Sequence, residues 1–255
     1  MNAPRIASQP KAPDVRIVQG REVRLPVEVR DASSAFATFV VDAPAVRKLW
    51  THPRLRLVEL FPGRALCSIA VIDYRDNDLG RYDEIAIAFL VREAGGRAVP
   101  VIDFFRRGVG AYIHHLPVTT SFSRDAGFGI WGYPKVVGEI EIEDRDGRRT
   151  GALRLDGRHV LTLSAPARGR FRFREAPLDS FALRDGALWK TPFTSSGESV
   201  GFRLGGATLV FGDHPIAEEL RSIGLPRRAL TSGWVGRMSA RFGGPQRLDA
   251  AAEIF

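Results

Sequence analysis

The stretch VVGEIEIEDRDGRRTGALRLDGRHVLTLS, residues 136–164, indicates the fold class. Its short apolar runs alternate with polar residues, a pattern typical of strands with one buried face. Asp144 to Gly147 and Gly157 supply the turn-forming residues that close hairpins. The stretch therefore predicts an antiparallel meander of three strands, over residues 136–142, 151–155 and 160–164.

Similar apolar runs occur on both sides of this meander. They predict strands over residues 15–18, 35–41, 55–61, 65–74, 84–91, 188–193, 202–211 and 234–242. Helical spacing is found over residues 44–50 and 216–223, with Gly224 as a stop for the second helix. Because helices are too few for alternating strands and helices, we expect an α+β fold that is mostly antiparallel β. Its form is a closed or nearly closed β-barrel with a few short helices.

Length and composition predict a flexible N-terminal tail over residues 1–14 and a single domain over residues 15–255. Hydrophobic residues make up 44% and charged residues 26% of the chain, values typical of soluble globular proteins. No apolar run approaches the roughly 20 residues of a membrane-spanning helix, and the start of the chain lacks a signal-peptide pattern. Cys67 is the only cysteine, which excludes an internal disulfide and favours a reducing cytoplasm.

The positive charge is spread along the chain rather than concentrated. The formal net charge is +8, but the arginines form scattered pairs such as 148–149 and 227–228, with no dense basic block. We therefore expect no nucleic-acid partner and no membrane partner. Lysine is rare by comparison, since the four lysines are Lys11, Lys48, Lys135 and Lys190.

Two adjacent histidines, His114 and His115, are potential metal ligands. Neighbouring residues on a regular strand point to opposite faces, so the two imidazoles are not expected to share one ion. The sequence therefore predicts no metal site.

The stretch YIHHLPVTTSFSRDAGFGIWGYPKVVG, residues 112–138, carries the most informative motif. It resembles the acetoacetate decarboxylase family, in which a Tyr/Phe-Pro-Lys run follows a short helix. The matching positions are Tyr112, His114, Gly127 and the run from Tyr133 to Lys135. Upstream, Tyr82-Asp83-Glu84 resembles the family's Tyr-x-Glu, and weaker likeness extends over residues 36–142.

This resemblance implies roles for several residues. Lys135 would form an imine with a small keto acid, so that no cofactor is needed, and Glu84 would face it and transfer protons. A lysine amine has an ordinary pKa near 10.4, so it becomes a nucleophile only where desolvation or a nearby cation favours the neutral form. Tyr82 and Tyr133 are candidates for binding the substrate carboxylate. Phe128 and Trp131 are candidates for the wall of a dry substrate pocket.

Four departures from the family pattern limit which of the family's properties can be expected of this chain. Val136 replaces a second lysine, Phe128-Gly129 replaces an Arg-Glu pair, and residues 67–69 lack a second glutamate. Arg30 lies near the position expected for the family's substrate-gripping arginine. These departures argue against acetoacetate as the substrate more strongly than against imine chemistry.

Three functions compete. The first is a carbon–carbon lyase that decarboxylates a 3-oxo acid through a Schiff base on Lys135. The second is an aldolase-dehydratase that condenses a 2-oxo acid such as pyruvate with an aldehyde. The third is a barrel that binds a small ligand without chemistry. The resemblance also implies a homo-oligomer.

Overall fold

The computed structural model describes residues 14–94 and 109–248. The predicted tail lies outside these residues except for Asp14, which opens the first strand. The last residues of the predicted domain, 249–255, also lie outside them.

Strands dominate the described residues. They are β1 (Asp14–Val18), β2 (Arg21–Leu25), β3 (Val27–Asp42), β4 (Leu55–Leu57), β5 (Glu59–Phe61), β6 (Arg64–Asn77), β7 (Tyr82–Glu93), β8 (Gly110–Val118), β9 (Lys135–Val137), β10 (Glu139–Arg145), β11 (Arg148–Leu155), β12 (Arg158–Pro166), β13 (Phe171–Arg184), β14 (Ala187–Leu204), β15 (Thr208–Phe211), β16 (Thr231–Phe242) and β17 (Gln246–Leu248). The helices are α1 (Ala43–Leu49), α2 (Ser121–Ala126), a π-helix that continues α2 (Gly127–Trp131), and α3 (Pro215–Ser222). Among the described residues, no helix combines the length and apolar character needed to cross a membrane.

Seven strands form a closed barrel, as the sequence predicted. They pair in the order β7, β6, β3, β16, β14, β13 and β8, and a further pairing of β7 with β8 closes the ring. The β13–β8 pairing is parallel, whereas the other pairings around the ring are antiparallel. The short strand β9 extends the sheet beyond the ring by pairing with β8 in parallel.

The predicted meander forms part of a second sheet, in the order β10, β11, β12 and β15, except that residues 136 and 137 belong to β9 of the barrel sheet. Its two hairpin turns place Asp146-Gly147 and Asp156-Gly157 at positive φ, the backbone conformation of tight two-residue hairpin loops. The prediction of one strand over residues 202–211 was wrong. The chain turns at Gly205 and Gly206, both with positive φ, and continues in the other sheet as β15.

Both predicted helices are confirmed to within one residue. Asp42 caps α1 by accepting a hydrogen bond from the Ala45 N–H at 2.8 Å, and His214 caps α3 in the same way. Strands β2, β8, β13 and β17 were not predicted. The segment of α2 and the π-helix occupies the place of the short helix that the family resemblance implies before Tyr133 to Lys135.

Two clusters of buried apolar residues lie on opposite faces of the β7–β8 pair. The first joins barrel strands to the four-stranded sheet and includes Ile87, Phe89 and Tyr112. The second includes Leu116 and Val118 and extends to the α2 and π-helix segment.

A β-bulge in β8 overturns the prediction for the histidine pair. His115 pairs with Ile87 and Ile113 pairs with Ala88, so His114 is an extra residue between two consecutive partners. The bulge turns both imidazoles toward the same carboxylate, that of Glu219 on α3. The expectation that they point to opposite faces holds only for a regular strand, and this one is irregular.

Candidate active site

Lys135 opens β9, directly after the turn that follows the π-helix. Gly132 ends that helix with φ at 73°, a conformation that glycine adopts without steric cost, and its N–H bonds to the carbonyls of Gly127 and Phe128. The chain then runs parallel to β8, with Lys135 beside Leu116. The turn therefore directs the lysine side chain toward the second core cluster.

Glu84 lies next to this lysine. Its strand β7 pairs with β8, where Glu84 is opposite Val118, so β8 lies between the strands that carry the two charged residues. The Nζ atom of Lys135 is 2.9 Å from Oε2 of Glu84, and only 4% and 6% of the two side chains are exposed. Buried charges persist in proteins only when they are paired, so each group depends on the other.

Two stacked tyrosines line the same charged pair. Lys135 Nζ lies 4.8 Å from the centre of the Tyr82 ring, a cation–π distance, and Tyr82 stacks on Tyr74 at 4.5 Å between centroids. The Tyr74 hydroxyl donates a long hydrogen bond of 3.4 Å to Oε1 of Glu84. Burial, together with the negative charge of Glu84, raises the pKa of both tyrosines well above the usual value of 10. Both hydroxyls therefore stay neutral at physiological pH and can donate hydrogen bonds.

Tyr133 is held by a separate polar chain. Its hydroxyl is 2.6 Å from Oγ of Ser180, which in turn donates to the carbonyl of Thr191 at 3.4 Å. Burial raises the pKa of Tyr133 to about 12, although the hydrogen bonds to Ser180 and Thr191 oppose that rise. Trp131 stacks on Tyr133 at 5.8 Å and donates from Nε1 to the carbonyl of Gly243. Trp131 therefore packs against the Tyr133 ring and is itself held by the backbone at Gly243.

Two of the predicted substrate-binding residues are not brought to this cluster. Arg30 is half exposed, and its guanidinium is paired with Asp76 at 2.8 Å and Asp78 at 2.6 Å. Phe128 is 53% exposed and lies beneath the guanidinium of Arg184 at 5.3 Å. The predicted pocket roles of these two residues are therefore not supported, because each side chain is engaged at the surface.

The structure adds Tyr74, Ser180 and Thr191, which the sequence analysis missed. Tyr74 could have been found, since the turn at residues 76–80 closes a hairpin that places Tyr74 directly opposite Tyr82. Ser180 and Thr191 come from β13 and β14, far from the motif in the chain, and carry no sequence signal.

These residues form a compact chemical unit. An amine and a carboxylate lie in hydrogen-bond contact, shielded from water, with tyrosine hydroxyls nearby as neutral donors. A nucleophile and a proton-transfer group within this distance are the two groups that imine chemistry on a ketone requires.

Solved structures share this fold at low sequence identity. An acetoacetate decarboxylase superimposes with a TM-score of 0.63 and 16% identity, over 91% of this chain and 92% of that chain. The acetoacetate decarboxylase of Legionella pneumophila subsp. pneumophila str. Philadelphia 1 gives 0.63 and 13%, over 98% and 93%. The enduracididine biosynthesis enzyme MppR, complexed with pyruvate, gives 0.59 and 18%, over 89% and 91%.

Sequence comparison extends this likeness beyond the fold. No curated protein matches this sequence significantly. The family described as acetoacetate decarboxylase (ADC), in contrast, matches residues 17–240, which include both the Tyr-x-Glu run and the Tyr-Pro-Lys run. The chain therefore belongs to the acetoacetate decarboxylase family.

Proposed function

We propose that this protein is a Schiff-base-forming lyase that decarboxylates a small 3-oxo acid through Lys135. The observation that carries the proposal is the buried contact of 2.9 Å between Lys135 Nζ and Glu84 Oε2. Membership of a family whose described activity is acetoacetate decarboxylation supports it.

The pair explains how an uncharged amine can be produced. An amine attacks a ketone only when it carries no proton. Transfer of one proton from Nζ to Oε2 leaves a neutral amine beside a neutral carboxylic acid, so no isolated charge remains in the buried site. The proton stays available on Glu84 for later steps.

The reaction then follows from the residues present. The Lys135 amine adds to the ketone carbon, and Glu84 gives its proton to the departing hydroxyl, so that loss of water leaves a protonated imine. The electron pair of the bond to the carboxylate moves into this imine as carbon dioxide leaves, which produces an enamine. Glu84, reprotonated from water, supplies a proton to the enamine carbon, and water hydrolyses the resulting imine to release a ketone and the free lysine.

The aromatic lining favours loss of the carboxylate. Tyr74, Tyr82 and Tyr133 carry raised pKa values, so they present neutral hydroxyls rather than charges to the substrate. Neutral donors hold a carboxylate less strongly than an arginine does. Departure of neutral carbon dioxide therefore removes a charge from a site that solvates charge poorly.

A second candidate is an aldolase-dehydratase that forms an enamine from pyruvate and adds it to an aldehyde. The likeness to MppR, whose structure holds pyruvate, favours it. Val136 supports it as well, because a second lysine is missing from the position next to Lys135.

Reductive trapping tests the proposal. The protein is treated with borohydride and either acetoacetate or pyruvate, and the intact mass is compared with that of Lys135→Ala. Lys190→Ala is the matched control, because Lys190 is also partly buried and is paired with Glu93 and Asp179.

The proposal predicts an adduct of the acetone skeleton from acetoacetate, with release of carbon dioxide, in the native chain and in the Lys190 variant but not in the Lys135 variant. A pyruvyl adduct without carbon dioxide release would favour the aldolase-dehydratase. If no tested keto acid gives an adduct, imine chemistry is wrong and a ligand-binding barrel is the better account.

A further inference from the structure

A second cluster of polar side chains lies between α3 and β8. The Nε2 atoms of His114 and His115 are each 2.8 Å from the same oxygen, Oε1 of Glu219. The imidazole rings are 4.4 Å apart between centroids. The three ligand atoms lie within 4.8 Å of one another.

This cluster is separate from the lysine site. His115 pairs with Ile87, which belongs to the first core cluster, whereas Lys135 pairs with Leu116 of the second. The two sites therefore lie on opposite faces of the same sheet, and the bulge brings His114 to the face of His115. The proposed decarboxylation uses none of the three residues.

We propose that His114, His115 and Glu219 bind one divalent first-row transition metal ion of the zinc class. Two imidazoles and one carboxylate are a recurrent donor set for such ions, with at least one further position left for water. Two neutral imidazoles and one carboxylate carry a single negative charge, which complements a divalent cation.

The geometry requires little adjustment. With metal–ligand bonds near 2.0–2.1 Å, two tetrahedral ligand atoms lie about 3.3 Å apart. Each imidazole nitrogen is 2.8 Å from the carboxylate oxygen, so each of these two pairs needs to separate by about 0.5 Å. The two imidazole nitrogens lie within 4.8 Å of each other.

The site is accessible yet held in place. The side chains of His114, His115 and Glu219 are 12%, 23% and 28% exposed, so an ion can reach them from solvent. Phe89 packs against the His114 ring at 5.1 Å between centroids. The helix that carries Glu219 is anchored by Leu220 and by Ile223 directly after its end, since both belong to the first core cluster.

The alternative is a hydrogen-bonded clamp. Both imidazoles can donate from Nε2–H to the carboxylate, which would attach α3 to β8 without an ion. Metal binding requires both Nε2 atoms to lose that proton and to present a lone pair. The two arrangements therefore differ in whether the native protein takes up an ion.

Titration of the metal-stripped full-length protein with Zn²⁺ distinguishes them. Isothermal titration calorimetry should give one equivalent per chain and an increased melting temperature, and Co²⁺ should develop the visible absorption of a low-coordinate site. Glu219→Gln and His114→Gln should weaken Zn²⁺ binding by about a hundredfold or more, since even outer-shell changes cost about ten- to a hundredfold.

Two controls keep the test specific. His159→Gln should bind Zn²⁺ as the native chain does, because His159 lies on β12, where it is hydrogen-bonded to Thr162 of the same strand. Lys135→Ala should also bind it, so this outcome is independent of the lysine chemistry. Absence of saturable Zn²⁺ and Co²⁺ binding to the folded native protein would overturn the proposal, as would undiminished binding by the Glu219 and His114 variants.

Discussion

The α-carbon of Gly127 lies against the side chain of Lys135. A methyl group at position 127 would be 2.4 Å from Cδ and 2.7 Å from Cε of the lysine, far inside van der Waals contact. The backbone of Gly127 is right-handed helical, with φ at −61°, so an alanine would meet no conformational obstacle there. Glycine is therefore needed at this position for space rather than for backbone freedom.

Replacement of Gly127 by alanine should displace the lysine side chain. We expect Gly127→Ala to lose imine trapping and to destabilise the protein by about 1–3 kcal/mol, the usual cost of overpacking. Gly129→Ala is the matched control on the same π-helix, because a Cβ at Gly129 meets nothing within 4 Å. Intact-mass trapping and urea unfolding measure the two effects, and equal trapping by both variants would contradict the argument.

Glu84→Gln removes the proton-transfer group while keeping its shape. Because general acid–base catalysis contributes about 10²–10⁴-fold, we expect the turnover rate of the keto acid identified by trapping to fall by about that factor. Asp83→Asn is the control, since Asp83 is the adjacent carboxylate and its backbone N–H donates to the Thr119 hydroxyl. Carbon dioxide release, or aldol product formation, measures the rate. A loss in the Asp83 variant as large as that in the Glu84 variant would exclude a specific role for Glu84.

The buried ion pair should show strong coupling in stability. Lys135→Met alone leaves the Glu84 carboxylate without its cation, at a cost of about 3–5 kcal/mol. The double variant Lys135→Met/Glu84→Gln should recover much of that loss, because no unpaired charge remains. Lys190→Met, which breaks a more exposed pair with Glu93, should cost about 1 kcal/mol or less. Urea unfolding of the native chain, Lys135→Met, Glu84→Gln, the double variant and Lys190→Met tests this, and additive effects of the two core substitutions would refute the coupling.

All four tyrosines of the chain should resist ionisation while the protein is folded. They are Tyr74, Tyr82, Tyr112 and Tyr133, and burial is the first cause of the raised pKa of each. Since the folded pKa is higher than the unfolded value near 10, the protonated hydroxyl stabilises the fold fully below pH 10. That contribution is lost as the pH rises toward the folded value, about 12 for Tyr133.

A spectrophotometric titration measures this behaviour. Tyrosinate absorbance should rise in one step that coincides with the loss of circular dichroism, well above pH 10. If the absorbance change of one tyrosine occurred near pH 10 while the protein was still folded, at least one ring would be more accessible than the structure indicates.

The local sequence pattern was sufficient for much of the architecture. Alternating apolar residues and the Asp-Gly turns predicted the meander, and the scarcity of helical periodicity predicted a barrel with few helices. The strand prediction failed where an apolar run continued across a break between two strands. Gly205 and Gly206 break an apolar run into strands of two different sheets.

The lysine site could also be predicted in part from the sequence. The Tyr-Pro-Lys and Tyr-x-Glu runs identified Lys135 and Glu84, because both lie in short motifs whose residue types are visible in the chain. The distance of 2.9 Å between them depends on β8, which lies between their strands and places both side chains on one face. No local pattern specifies that pairing.

What the sequence determined by itself is therefore the set of chemical groups and the class of fold, since residue type, turn chemistry and periodicity are local properties. What only the tertiary structure decided is which groups meet. Ser180 reaches Tyr133 across 47 positions, and one bulged residue turns His114 and His115 toward the same carboxylate on a distant helix. Strand register and burial fix these contacts, and both result from the packing of the whole chain rather than from any segment alone.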